Sequence, residues 1–324
     1  MDSELMLRNT LETVTEEDFH KLLKSGKTPV AYCGYEVSGP VHIGTLIAIL
    51  KQKDFQDAGC RVKVLFADVH TRLNRKGEQE WIDRMVKYWE TCFKSIGLDK
   101  ADYVLGSSFQ FDDDYVKDVL ELGLNSTLNR ALRSMQEVAR DIEHATVSQV
   151  IYPLMQIADV KALGADIAYG GIEQRKIHML AREILPAIGC EKPVCIHTPL
   201  LVSLQGPGCK MSSSKPETII MLHDEPDAIR KKVNSAYCPV EAEGNPILQV
   251  AEFILFPHLG VLKVERPEKF GGNVEYKEYK SLEKDYLGGK LHPADLKETV
   301  AKTITEFLAP VRKAVAEIGG YPEK

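Results

Sequence analysis

No stretch of the 324 residues approaches the run of ~20 apolar residues that a membrane-spanning helix needs, which excludes an integral helical membrane protein. Met1 to Thr10 carries Asp2 and Glu4 and no apolar core segment, so it does not read as a secretory leader, and the expected compartment is the cytoplasm. Paired cysteines are also missing. Cys33, Cys60, Cys92, Cys190, Cys195, Cys209 and Cys238 are odd in number and scattered, with no C-x-x-C. That excludes a disulfide framework and a cysteine-based zinc site, and most of the seven are expected to be small buried apolar groups. Positive charge is in deficit: 41 Lys and Arg stand against 47 Asp and Glu, a net charge of −6. This speaks against non-specific binding of nucleic acid but leaves room for local basic surfaces. Candidates are Arg130, Arg133 and Arg140, the pair Arg175-Lys176, and Arg230-Lys231-Lys232, each of which also reads as a solvated helix face. There is no internal repeat and no low-complexity tract.

What is present is an alternation of short apolar strands with amphipathic helices. Pro29–Gly34 reads as a buried strand, Ile43 to Ala58 as a helix stopped by Gly59, Arg61–Ala67 as a second strand, Glu78–Ile96 as a helix stopped by Gly97, and Ala101–Leu105 as a third strand. This β-α-β-α-β run predicts a parallel sheet with right-handed crossovers. Asp112 to about Thr146 is mostly helical and interrupts the alternation as an insertion. A helix over Val147–Leu163, a strand over Asp166–Tyr169, a helix over Glu173–Leu185 and a strand over Pro193–His197 complete the sheet. Beyond Pro216 the strand signals fade. Pro226–Val233, Ile247–Leu255 and Pro293–Ala314 look helical, and Asn273–Lys280 is a short strand or loop. The fold expected is therefore α/β: a Rossmann-like, doubly wound parallel sheet with a helical insertion (about 111–146) and a smaller, mainly helical C-terminal domain. The boundary falls near 216–225, giving domains 1–220 and 221–324.

Two segments carry phosphate chemistry. Gly34, Gly39 and Gly44 line the turn from the first strand into its helix, where glycine lets backbone approach a ligand. A helix N-terminus offers free N–H groups to phosphate, and His42 can hydrogen-bond the phosphates as charge grows. Alone, His-x-Gly also reads as an ordinary turn with a structural histidine. Far downstream, Gly206-Pro207-Gly208 opens a loop containing Lys210-Met211-Ser212-Ser213-Ser214-Lys215. A lysine ammonium suits a leaving pyrophosphate, the serines add hydroxyl donors, and the glycines let residues 206–216 open and close as a unit; a polar surface turn is the plainer alternative. A third feature is the polar face formed by Tyr152, Gln156 and Asp159 at i, i+4 and i+7. Because Ile151, Leu154, Met155 and Ile157 surround it, this face reads as buried beside a ligand rather than as an exposed polar stripe.

Val41-His42-Ile43-Gly44 resembles the "HIGH" signature, and Lys210-Met211-Ser212-Ser213-Ser214 the "KMSKS" signature, of class I aminoacyl-tRNA synthetases. Residues 34–39, 150–156, 170–175 and 176–183 look like the archaeal tyrosyl-tRNA synthetases, and the match covers essentially the full length. The resemblance implies a tyrosine–tRNA ligase that makes tyrosyl-adenylate from ATP and passes it to the 3′ end of tRNA(Tyr). Mg²⁺ would arrive on the ATP phosphates, with no resident metal site and no tightly bound cofactor. His42, Thr45, Lys210 and Ser213 would act on the phosphates, and Gly34, Gly39, Gly44, Met211, Ser212 and Ser214 would complete the ATP site. Tyr32 and Asp159 would bind the phenol hydroxyl. Tyr152, Gln156 and Gln174 would hold the α-amino group with Glu36 nearby, and Leu65 and His70 would border the ring. Arg133 and Arg175 would reach the acceptor end and its C1–G72 pair. Phe270 and His292 would stack on the anticodon guanine, and Asp295 would accept from its Watson–Crick edge. The family is dimeric, and helices of the insertion, about Asp112 to Arg140, would carry that contact.

Two positions depart from the pattern. Thr45 replaces the second histidine of "HIGH", and Ser213 stands where many relatives have the second lysine, with Lys215 two positions on. Three alternatives remain at this point. A tryptophanyl enzyme shares the architecture, but an indole offers only one N–H, whereas Tyr32 and Asp159 suit a hydroxyl. A non-catalytic relative that binds tRNA or tyrosine would draw support from Thr45 alone. A small-molecule nucleotidylyltransferase would have no use for Phe270, His292 and Asp295.

Overall fold

The computed structural model describes residues 1–135, 146–209, 211 and 215–324. Its centre is a sheet of six strands: β1 (Glu12–Val14), β2 (Val30–Tyr35), β3 (Arg61–Phe66), β4 (Asp102–Leu105), β5 (Ile167–Gly171) and β6 (Val194–Thr198), in the order β1-β6-β5-β2-β3-β4. β2 to β6 are mutually parallel, and β1 lies antiparallel on the β6 edge. The sheet grows outward from β2 in one direction through β3 and β4 and in the other through β5 and β6. The reversal lies between β2 and β5, and the carboxyl ends of these two strands are where a doubly wound fold places its ligand.

The period-2 alternation of the strands divides the molecule into two layers. Ala31, Cys33 and Tyr35 of β2, Val62, Val64 and Phe66 of β3, and Ile167 and Tyr169 of β5 enter a core with helices Ile43–Asp57 and Gln79–Ser95. Tyr32, Leu65, Ala168 and Cys195 face the other way, into a second core with helices Asp113–Leu124, Val147–Ala162 and Arg175–Ile184. The first core runs on without a break into Ile229, Ile247, Val300, Ile304 and Val311 of the C-terminal helices. A small antiparallel pair, β7 (Leu262–Val264) and β8 (Val274–Tyr276), sits among them, so residues near 273–280 begin as strand.

Three details differ from the sequence expectation, each with a local cause. The expected helix Pro293–Ala314 is two helices, Pro293–Phe307 and Ala309–Glu317, because Pro310 has no N–H to continue the ladder and instead sits in the first turn of a new helix. The helix expected over Ile247–Leu255 opens into a π turn over Ala251–Leu255. Just beyond it, Pro257 has no N–H to offer the Phe253 carbonyl, and Asn9 Nδ2 takes that oxygen at 2.9 Å. The N-terminal turn that delivers Asn9, and edge strand β1 after it, have no periodic signal in the sequence.

That turn joins distant parts of the chain. Arg8 pairs with Asp54 of helix Ile43–Asp57, through Nε at 3.0 Å and through Nη2, and donates to the Pro257 carbonyl. Lys51 donates to the Arg8 carbonyl at 2.5 Å and to Thr10 Oγ1 at 2.9 Å. The Asp54 side chain is 3% exposed, so removal of its guanidinium partner strands a buried carboxylate. Arg8→Ala is therefore expected to lower the stability by about 2–4 kcal/mol, measured by urea unfolding, and a loss below about 0.5 kcal/mol would make the pair a surface ornament.

Candidate active site

The N-terminus of helix Ile43–Asp57 opens at the carboxyl end of β2. His42 is its N-cap, in extended conformation, and His42 Nδ1 accepts the Gly44 N–H at 3.1 Å. Burial pushes the imidazole down to about 4, so the ring is neutral at physiological pH. With Nδ1 accepting, the proton resides on Nε2, which makes His42 a neutral hydrogen-bond donor rather than a cation. Gly44 has no room for a side chain: a Cβ there would lie 2.9 Å from both His42 Cε1 and Met211 Sδ. Met211 of the Lys-Met-Ser run thus packs directly over the helix start. Backbone also ties the first signature to the segment that follows the Lys-Met-Ser loop. Ile43 N–H donates to the Ile220 carbonyl at 2.8 Å, and Leu222 N–H to the Val41 carbonyl at 2.9 Å. Lys210, Ser212, Ser213 and Ser214 lie outside the described residues. Gly39 stands back from the cavity, its carbonyl taking the Trp89 Nε1–H at 2.9 Å.

At the closed end of the same cavity is Asp159, on helix Val147–Ala162 and 1% exposed. Its Oδ1 accepts from Gln110 Nε2 at 2.8 Å and from the Tyr115 hydroxyl at 2.9 Å. Burial raises the carboxyl to about 7, against the pull of hydrogen bonds from Gln110, Tyr115 and Tyr32. Tyr32 is in turn held well above the ordinary phenol range by burial and by the negative charge of Asp159, so it stays a neutral hydroxyl. Gly34 leaves room beside the Tyr32 hydroxyl: a Cβ there would lie 3.1 Å from that oxygen and 3.7 Å from Leu65 Cδ2.

Gln110 and Tyr115 are absent from the sequence reading. Both lie where the chain leaves β4 for the insertion, a stretch with no strand or motif to mark them. A faint signal is Gly106, where a Cβ would fall 2.5 Å from Gln110 Oε1.

The wall between the two ends is polar. Gln156 Nε2 donates to Gln174 Oε1 at 3.1 Å, and Asn74 Nδ2 donates to Glu36 Oε2 at 3.0 Å. His70 meets the Tyr152 ring edge-on at 4.4 Å, and burial pushes its imidazole down to about 4. Tyr32, Gly34, Glu36, His42, Gly44, Thr45, Leu65, His70, Tyr152, Gln156, Asp159, Gln174 and Met211 line one cavity of about 1020 Å³. That places every described residue expected at the tyrosine and ATP sites, apart from Gly39, around one space. A helix start with free N–H groups, a wall of carboxylate and amides suited to an ammonium, and a buried carboxylate beside the Tyr32 phenol line this one cavity.

The family model described as tRNA synthetases class I (W and Y) matches residues 24–309. The chain belongs to this family. A tyrosine–tRNA ligase from Methanopyrus kandleri is 49% identical over 96% of this chain and 97% of its own. One from Methanospirillum hungatei is 50% identical over 95% and 97%. The solved tyrosyl-tRNA synthetase from Archaeoglobus fulgidus, complexed with L-tyrosine, superposes with a TM-score of 0.93 at 48% identity, covering 96% of this chain and 98% of that one.

In this class I synthetase the residues expected to meet tRNA lie outside the cavity. Arg133 lies in the last turn of the short helix Leu128–Ser134, its Nε 3.4 Å from the Asn129 carbonyl. Arg175 begins helix Arg175–Ile184 directly after Gln174. Phe270 is 59% exposed. His292 is the N-cap of helix Pro293–Phe307, Nδ1 accepting the Ala294 N–H at 3.1 Å. Arg266 ties the turn at Gly272 to the start of helix Pro293–Phe307 in a way the sequence does not announce. It donates to the Gly272 and Lys290 carbonyls at 2.8 Å each and lies 4.0 Å from the Asp295 carboxylate. Among the described residues no cluster of three or more His, Cys, Asp or Glu is set to hold a metal, and no helix is long and apolar enough to cross a membrane.

The raised carboxyl of Asp159 has a pH signature. Folding moves it from 3.8 to about 7, so the folded state disfavours the ionised form. The penalty begins near pH 4, grows until about pH 7 and is constant above. Asp159→Asn removes the charge and keeps the acceptor oxygen. Its stability relative to wild type, measured by urea unfolding without ligand, should rise by about 4 kcal/mol across that window. A difference independent of pH would rule out the raised carboxyl.

Proposed function

We infer that the chain activates tyrosine with ATP and transfers it to the 3′ end of tRNA(Tyr). The observation that carries this is Asp159: a fully buried carboxylate beside Tyr32, at the closed end of a cavity whose other end is a helix N-terminus. An incoming phenol would donate to Asp159 and accept from Tyr32. A phenylalanine would leave Asp159 short of the donor that completes its solvation, the condition under which a site rejects an analogue lacking a hydroxyl without editing; tyrosyl enzymes are the standing example of that rule.

In the first step a tyrosine carboxylate oxygen attacks the α-phosphorus of ATP; that O–P bond forms as the bond to the β-phosphate oxygen breaks, and pyrophosphate leaves. No side chain acts as nucleophile. The chain's own contribution is placement and charge stabilisation. Glu36, Tyr152, Gln156 and Gln174 hold the α-ammonium, and Leu65 and His70 border the ring. His42 Nε2–H and the N–H groups of helix Ile43–Asp57 meet the phosphates, joined by Thr45, Lys210, Met211, Ser212, Ser213 and Ser214. Mg²⁺ would come with the ATP phosphates. In the second step a ribose hydroxyl of the terminal adenosine attacks the tyrosyl carbonyl and AMP leaves. Arg133 and Arg175 steady the acceptor end, while Phe270 and His292 stack on the anticodon base and Asp295 accepts from it. In this division of labour residues 1–220 hold the chemistry and 221–324 the anticodon. The compartment is the cytoplasm.

The insertion supports a homodimer. Val116, Leu120 and Leu124 repeat at i, i+4 and i+8 along helix Asp113–Leu124, with Leu120 66% and Leu124 82% exposed, and Phe111 and Leu128, which flank this helix in the chain, are exposed as well.

The deciding assay is tyrosine-dependent ATP–pyrophosphate exchange followed by tRNA charging; absence of exchange with tyrosine would overturn the reading. Lys210→Ala should slow exchange by about 10²-fold or more and leave tyrosine affinity within about twofold, as expected for a group that acts only on developing charge. Wild-type exchange in that variant would remove Lys210 from the chemistry. For the assembly, Leu120→Asp with Leu124→Asp should halve the solution mass measured by light scattering, and an unchanged mass would exclude this face as the contact.

A further inference from the structure

Edge strand β1 sets Glu12 opposite His197 of β6. From there a line of side chains leads into the catalytic cavity. Both Glu12 carboxylate oxygens take the Arg175 Nε–H, at 3.0 and 2.8 Å, and Oε2 lies 3.0 Å from His197 Nδ1. His197 Nε2 lies 2.9 Å from His178 Nδ1, and the two rings stack with centroids 5.1 Å apart. His178 lines the cavity beside Gln174, so close to β5 that a Cβ at Gly170 would meet its Cε1 at 3.3 Å.

The protons along this line have one order. Burial keeps both imidazoles neutral, pushing His178 down to about 3 and His197 below its ordinary value. A carboxylate only accepts, so His197 donates from Nδ1 and accepts at Nε2. His178 must then donate from Nδ1, and its own Nε2 remains as an acceptor. Arg175 holds Glu12 below the usual carboxylate range, so the anchor is ionised at neutral pH. With its Nε bound to Glu12, Arg175 donates from neither terminal nitrogen to any other described residue. Those two groups form a planar fork at the surface, matched to a phosphate or a base edge.

Glu12 carries the wrong charge for attracting RNA. Its place beside an RNA-facing arginine is explained by orientation: a guanidinium already fixed in direction loses less freedom on binding. We propose that Glu12 is a positioning residue for the acceptor end of tRNA, aiming the Arg175 fork, and that His197 and His178 hold it from inside the catalytic cavity. This rests on the reading that Arg175 touches the acceptor end.

The test compares Glu12→Gln, Arg175→Gln and the double variant, each as the full chain, in tRNA charging and in exchange without tRNA. Arg175→Gln should raise the KM for tRNA about tenfold and Glu12→Gln about fivefold, with the double variant no worse than Arg175→Gln alone and exchange within about twofold throughout. A tRNA KM unchanged in Glu12→Gln but raised in Arg175→Gln overturns the positioning role and leaves the arginine contact standing. An unchanged KM in Arg175→Gln overturns the contact itself. Additive effects in the double variant, or a parallel loss of exchange in Glu12→Gln, make Glu12 an independent or merely structural residue and overturn the proposal.

Discussion

The arrangement of the site follows from one buried carboxylate. Asp159 lies in the second core, where an ionised group survives only if its oxygens are satisfied. Gln110 and Tyr115 supply two donors, and their presence explains why the chain leaves the sheet after β4 to place residues of the insertion against helix Val147–Ala162. Those two bonds do not bring the carboxyl back to its ordinary range; it stays at about 7. In the proposed reading, this unfinished solvation is what the phenol hydroxyl of the substrate would complete. Removing one partner of a buried hydrogen-bonded group is penalised more heavily than its presence is rewarded, so a carboxylate so placed would select chiefly by what it rejects.

The phosphate end is built on the opposite plan. Here the polar groups are backbone, and precision comes from tying together segments far apart in the chain. Residues 41–43 pair with 220–222, so the loop that begins after Gly206 returns onto the very turn that caps the helix. Behind that turn, Tyr88 takes the Val41 N–H at 3.2 Å and contacts His223 Nδ1 at 2.8 Å, and Tyr321 stacks on His223 with planes 5° apart. Arg8 and Asn9 join the helix Ile43–Asp57 to the C-terminal helices on the far side. A continuous core then carries any displacement of the C-terminal part toward the phosphate helix, because close-packed interiors shift as blocks rather than deform.

The sheet was legible from sequence because parallel strands buried on both faces are continuous apolar runs, and their helices carry clear stop signals at Gly59 and Gly97. The cavity residues were legible for another reason: Tyr152, Gln156 and Asp159 break an otherwise apolar helix at one spacing, and His42 and Gly44 sit at a strand-to-helix turn. What could not be read had no periodicity. β1 has three residues, and its role depends on His197, 185 positions away. Gln110 and Tyr115 look like ordinary polar and aromatic residues until the fold brings them to Asp159. Arg266 is likewise one basic residue among many, and only its carbonyl partners identify it. Long-range side-chain pairing leaves no local trace, and these are the groups that orient the ones with a trace.

An acidic enzyme that binds an acidic polymer cannot rely on its overall field, which at a net charge of −6 repels the tRNA beyond about a Debye length, ~8 Å at physiological salt. Affinity must come from few cations held in the right direction. The arginines here fit that requirement. Arg130 is paired with Glu183, Arg175 with Glu12, and Arg266 with two carbonyls. A carboxylate beside Arg130 and Arg175 lowers their net attraction to any phosphate, yet it fixes the guanidinium plane, and a fixed plane discriminates between a phosphate in the correct place and one elsewhere. The acidic composition that at first argued against nucleic acid is therefore compatible with it, provided that selectivity rather than attraction is what the surface is built to provide.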